Sequence, residues 1–218
     1  MRDWWDVFPE AEWMLRDLRD RYRDFPVSGR KLRLFACACW RSEPNRQGRW
    51  NEFLDAVREH EEILEGRKLE YSARALGWVC ARYDAQSTID ALAYDLRKGF
   101  ADHVIAAALL RDIFGNPFRP IVWDRRADAA FTMMCRKPSS DCRHPKMVLS
   151  RTMLRWNNGT VPKLAQAIYD KRSFDEMPIL ADALEEAGCA DEEMLLHLRG
   201  PGPHVRGCFV LDLLLGKS

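Results

Sequence analysis

The chain has 218 residues, with 34 Lys or Arg against 33 Asp or Glu and a formal net charge of +1. Eight Trp, ten Phe and 47% hydrophobic residues exclude disorder over most of the length, because so much apolar surface is driven out of water. The longest apolar runs, 104–110 and 208–215, fall far short of the ~18–20 residues that span a bilayer, and the acidic, aromatic start Met1-Arg2-Asp3-Trp4-Trp5-Asp6 is no signal peptide. The expectation is a soluble cytoplasmic protein without membrane contact.

Helical periodicity runs almost throughout. From Glu10 to Arg23, residues Ala11, Met14, Leu15, Leu18 and Tyr22 form one stripe, and Pro9 suits a first turn. Ser28 is placed to cap a second helix carrying Leu32, Phe35, Ala36, Cys39 and Trp40. Trp50, Leu54, Val57 and Leu64 mark a third, charged helix ending near Gly66. Leu69, Ala73, Leu76, Val79, Cys80 and Tyr83 mark a fourth. Ser87 and Asp90 read as the start of a long helix reaching Phe114, bent or divided at Gly99 and stopped by Gly115 and Pro117. Its part from Val104 to Leu110 is apolar nearly all round and is expected at the centre of the fold.

Between Asn116 and Thr160 the pattern weakens. Ile121-Val-Trp123 is too short for an independent strand, Arg136 to Pro145 reads as a loop, and Met147 to Arg155 as a short helix. Trp156-Asn-Asn-Gly159 is turn chemistry. Thr160 with Pro162 opens a helix bearing Val161, Leu164, Ala165, Ile168 and Tyr169. Pro178 opens another bearing Ile179, Leu180, Ala183, Leu184 and Ala187, and Asp191-Glu-Glu a third. Pro201-Gly-Pro203 is a rigid turn, and Cys208 to Leu215 a closing buried helix, with a strand as the alternative. The predicted class is all-α: an irregular multi-helix globular bundle with a basic, loop-rich insertion. Its parts are an N-terminal helical region (1–123), the insertion (124–155) and a C-terminal helical region (156–218), packed as one domain.

Several of these blocks resemble a known family. They are Arg30-Lys-Leu-Arg-Leu-Phe-Ala-Cys-Ala-Cys39, Leu110-Arg-Asp-Ile-Phe-Gly-Asn-Pro-Phe-Arg-Pro120, Leu164-Ala-Gln-Ala-Ile-Tyr-Asp170, Phe174 through Cys189, Arg199-Gly-Pro-Gly-Pro-His-Val-Arg-Gly-Cys208 and Asp212-Leu-Leu-Leu-Gly-Lys217. Together they resemble an uncharacterised bacterial family of helical proteins that occurs in many paralogous copies. Pro178 to Gly188 is also similar to the short helical repeat-companion domain. The resemblance implies a helical fold and carries no assigned activity. This chain has Cys39-Trp40 where the family reads Cys-Cys, and His197-Leu198 where it reads His-Cys. The stretch from about Asp124 to Met153 is an insertion relative to the family's usual length.

Three constellations bear on chemistry. His204, Cys208 and Asp212 would share one helix face at i, i+4 and i+8 if Pro203 began the last helix. A His beside a Cys can activate a thiolate. That spacing sets Asp212 nearer Cys208 than His204, the wrong order for a relay, so a Cys/His-dependent enzyme is the most distant alternative. For metal, the insertion offers Cys135, Cys142 and His144, and the C-terminal part offers Cys189, His197, His204 and Cys208. Neither set has the tight Cys knuckle of structural zinc. Seven cysteines, an odd number, argue against a disulfide framework. The third is charge. Residues 117–172 hold 12 Lys or Arg against 4 Asp or Glu, net +8, whereas residues 173–218 hold 3 against 9, net −6. Arg119, Arg125, Arg126, Arg136, Lys137, Arg143, Lys146, Arg151 and Arg155, with Trp156, suit phosphate contact and base stacking. The alternative is that this surface docks on the acidic C-terminal helices. Adjacent carboxylates, Glu61-Glu62 and Glu185-Glu186, read as solvated helix faces. No nucleotide-binding, hydrolase or metalloprotease signature is present, so no cofactor is expected. The first expectation is therefore a non-catalytic helical module with a protein partner, with Trp4, Trp5 and Trp50 as exposed anchors. The alternative is a nucleic-acid-binding accessory protein.

Overall fold

The computed structural model describes residues 4–20, 27–42, 50–67, 85–99, 101–117, 121–123 and 147–217. The fold is all-α; among the described residues only one pair of three-residue strands departs from helix and loop. The chain forms two compact units. The first takes Met1–Phe114 and regains Pro203–Phe209; the second takes Gly115–Gly202 and Val210–Lys217. No helix among the described residues is long and apolar enough to cross a membrane.

In the first unit, helix α1 (Trp4–Val7) sends Trp5 fully inward, against the expectation that it is an exposed anchor. Trp4 stays at the surface, edge-on to Trp5 and to Phe8 at 5.9 and 5.5 Å between ring centres. The side chain of Trp50 lies outside the described residues. Helix α2 (Ala11–Asp20) buries Ala11, Met14, Leu15 and Leu18, the stripe its spacing predicts. Helix α3 (Gly29–Ser42) buries more than a stripe: Leu34, Cys37 and Ala38 join Leu32, Phe35, Ala36 and Cys39. Helix α4 (Trp50–Leu64) packs on α3 and buries Ala56 and Val57. The expected helix over 69–83 lies outside the described residues.

The single long helix expected from Ser87 is two. Helix α5 (Ala85–Arg97) starts two residues earlier than Ser87 and ends before Gly99, whose φ of 75° suits a residue without Cβ. Helix α6 (His103–Phe114) is capped afresh by Asp102, whose Oδ1 accepts the backbone N–H of Val104 and Ile105 at 2.8 and 3.0 Å. Its first turn is not central: Val104 is 63% exposed, and burial begins at Ala106. The Nζ of Lys31 donates to the Ile113 carbonyl at 2.7 Å, tying α3 to the last turn of α6.

In the second unit, β1 (Ile121–Trp123) pairs in parallel with β2 (Met147–Leu149), Val122 opposite Val148. The short helix expected from Met147 to Arg155 is thus a strand followed by a 3₁₀ segment that starts at Arg151 and breaks at Trp156 and Asn157, whose backbone is not helical. Three β-branched residues in the paired segments favour the extended form. Asn157, Asn158 and Gly159 all take positive φ, forming the predicted turn into α7 (Thr160–Lys171). Helix α7 buries Val161, Ala165, Ile168 and Tyr169, and the Lys217 ammonium sits 4.7 Å from the Tyr169 ring centre. Helix α8 (Met177–Glu186) packs between α7 and α9 (Glu192–Arg199), burying Leu180, Ala181, Ala183 and Leu184; Ile179 points outward instead. Asp191 caps α9, accepting from the Met194 N–H at 2.8 Å. The closing segment, α10 (Phe209–Leu215), is a helix as expected.

Candidate functional site

The group with the most chemistry in the first unit is centred on Asp112, in the last turn of α6. It stands three residues after Leu109 and beside Ile113, on the helix stripe that faces inward, and is 1% exposed. An ionised carboxylate is held in such a place only by strong partners. The loop Pro203–Cys208 supplies them. Asp112 Oδ2 accepts the Val205 N–H at 2.9 Å, and Oδ1 lies 2.9 Å from His204 Nδ1.

The loop is pinned at further points. Arg206, itself buried, donates to Glu62 Oε1 at 3.0 Å. Arg67 first, then Arg206, holds the Glu62 carboxyl below its usual range. Cys208 N–H donates back to the Val205 carbonyl at 3.1 Å, closing a tight turn. Gly207 adopts φ 93°, and a Cβ there would meet Leu34 Cδ1 at 3.0 Å, so the turn lies close against α3. This turn brings Cys208 in, fully buried. The donor atoms of Asp112, His204 and Cys208 lie within 4.8 Å of one another.

The helix face expected to carry His204, Cys208 and Asp212 does not form. Pro201 and Pro203 withhold backbone donors, Gly207 turns the chain, and α10 begins only at Phe209. Asp212 is buried on α10 in the second unit, and its carbonyl accepts the Lys217 N–H. The carboxylate beside His204 is Asp112, 92 residues away in sequence. Carboxylate, imidazole and thiol in that order match the parts of a nucleophilic relay. Complete burial of Cys208 places its sulfur out of reach of an external substrate, so the cluster suits holding a loop or an ion better than acyl transfer.

Cys135, Cys142 and His144 lie outside the described residues, as do Arg119, Arg125, Arg126, Arg136, Lys137, Arg143 and Lys146. Arg151 and Arg155 are described and exposed, and Trp156 beside them is half-buried. Cys189 and His197 belong to the second unit. No disulfide involves Cys37, Cys39, Cys189 or Cys208. Burial pushes the thiols of Cys39 and Cys189 up, away from thiolate reactivity.

Glu61 corrects another expectation. It is buried, not solvated, and accepts from Arg41 Nε at 3.0 Å; Glu65, in the turn just after α4, accepts from Arg30 of α3. Glu61 continues the inward stripe of α4, four residues after Val57. An acid on an apolar stripe was the available signal for Glu61 and for Asp112 alike. Glu185 and Glu186 are exposed, as read.

A second feature of the first unit is a surface one. Helices α2 and α5 pack together, and their outer edge carries Trp13 and Tyr94, each about half exposed. The Arg16 guanidinium lies 5.1 Å from the Trp13 ring centre and pairs with Glu12 at 2.8 Å. Glu12 also binds Arg97 at 3.2 Å, and Arg97 lies 5.9 Å from the Tyr94 ring, with Lys98 at 5.6 Å. The result is a ladder of ring, cation, carboxylate, cation and ring across two helices. Comparisons of the chain with protein-family models, with curated proteins and with solved structures returned no match.

Proposed function

We propose that the protein is a non-catalytic helical interaction module whose partner docks on the ladder of α2 and α5. The observation that carries this reading is the pair of rings, Trp13 and Tyr94, held in place by cations yet more than half exposed. Rigid aromatic and Arg side chains lose little entropy on binding and dominate interface energetics. Arg16, Arg97 and Lys98 outnumber Glu12 around the rings, which favours a partner with apolar side chains flanked by carboxylates. A photo-crosslinking residue placed at Tyr94 in the full chain should give a discrete adduct in the native cell. The double substitution Trp13→Ala, Tyr94→Ala should weaken the isolated complex by about 2–4 kcal/mol while leaving the thermal melt nearly unchanged. A complex whose affinity the double substitution leaves unaltered overturns this surface.

A second reading, a nucleic-acid-binding accessory protein, is favoured by Arg151 and Arg155, exposed in a 3₁₀ segment that breaks at the half-buried Trp156. Cations next to a ring are the elements of phosphate contact with base stacking.

A further inference from the structure

We propose that Asp112, His204 and Cys208 bind a thiophilic divalent cation of the zinc class. Three residues of three different donor types converge from α6 and from one loop of the same unit, their oxygen, nitrogen and sulfur atoms within 4.8 Å of one another. Around tetrahedral zinc, with bonds of about 2.0–2.3 Å, neighbouring donors stand roughly 3.5 Å apart. The cluster therefore closes on an ion by opening the 2.9 Å contact of Asp112 with His204 and drawing the longer separations in.

The setting is prepared for it. The Val205 N–H and the imidazole already orient the Asp112 carboxylate, and the Arg206–Glu62 pair and the turn at Gly207 hold the loop from either side. Burial of Asp112 and Cys208 keeps competing water away and strengthens every charge interaction with a bound cation. A thiolate, an imidazole and a carboxylate form a mixed set that zinc, cobalt and nickel accept, whereas calcium and magnesium require oxygen alone. On binding, the Cys208 S–H bond breaks, a sulfur–metal bond forms and the proton leaves to solvent, while His204 ligates as a neutral ring. Affinity should accordingly rise with pH.

The test uses the reduced, metal-free full-length chain titrated with cobalt(II). A thiolate-to-cobalt charge-transfer band should grow to one equivalent and disappear when zinc displaces the cobalt. In Cys208→Ser the band should be absent. In His204→Gln and Asp112→Asn zinc affinity should fall roughly tenfold or more. A Cys135→Ser, Cys142→Ser variant should titrate like the parent chain. Because the loop variants remove structural bonds, a thermal melt provides a second readout: one equivalent of zinc should raise the midpoint of the Cys135→Ser, Cys142→Ser variant, whose Asp112, His204 and Cys208 are intact. No charge-transfer band, or a band that persists in Cys208→Ser and vanishes in the Cys135/Cys142 variant, overturns the proposal. A midpoint that zinc leaves unchanged overturns it too.

Discussion

Burial sets the chemistry of His60. On α4 its ring is almost completely shielded, and desolvation, aided by the nearby Arg33 cation, lowers its pKa to about 4, with Glu61 opposing. The unfolded chain would titrate it near 6.5, so between those values the unfolded state binds more protons than the native state. Stability from this residue is complete above about pH 6.5 and is lost as pH falls toward 4. The loss should be of order 1–3 kcal/mol. His60→Phe should flatten that part of the pH–stability profile, measured by urea melts between pH 4 and 7.5. A parent profile flat across the same range would refute the assignment. Asp112 illustrates how far single residues could be read beforehand. The chain shows an acid on an inward stripe, and so shows that a partner exists. It cannot show that the partner is His204, because a separation of 92 residues hides which loop returns.

At the scale of elements, apolar spacing was legible wherever the helix period ran uninterrupted. Helices α2, α3, α7 and α8 bury residues their stripes designate. The errors have local causes. Gly99 and the Asp102 cap cut a seemingly continuous helix, and pairing with Ile121–Trp123 drew Met147–Leu149 into a strand that lone propensity does not demand. Helix α10 began late because Gly207 occupies a left-handed turn. Within the second unit, Leu184 on α8 is fully buried, and Leu213 on α10 is only partly so. Leu184→Ala should cost about 2–5 kcal/mol in chemical denaturation, and Leu213→Ala about 1 kcal/mol. Equal losses would mean that the two helices share the core evenly, contrary to their burial.

At the scale of the whole molecule, charge is the property most visible in the sequence and least decisive about function. Residues 117–172 carry net +8, yet of the proposed contacts only Arg151, Arg155 and Trp156 are among the described residues. The two outcomes differ in salt response. If phosphates bind, affinity should fall log-linearly with salt. Neutralising Arg125, Arg126, Lys137 and Arg143 should flatten the slope, and Trp156→Ala should cost about 1–3 kcal/mol on single strands. If the basic segment instead docks on the acids at Glu185, Glu186, Glu192 and Glu193, the same neutralisation should lower the denaturation midpoint, with no binding at any salt. Titration at two salt concentrations beside a denaturant melt separates them.

The first unit is interrupted in the chain: Asp112 and Glu62 are made early, while His204, Val205 and Arg206 come from the segment at Pro203–Phe209. During synthesis, residues 1–114 leave the ribosome with both carboxylates lacking these late partners. At translation rates of about 5–20 residues per second, the wait for the returning loop lasts several seconds or more. Chains halted before residue 203 would therefore present a unit in which Asp112 lacks the contacts from His204 and Val205, more open to proteolysis. The return of Pro203–Phe209, rather than completion of the N-terminal helices, is the event that commits this part of the protein to its final state.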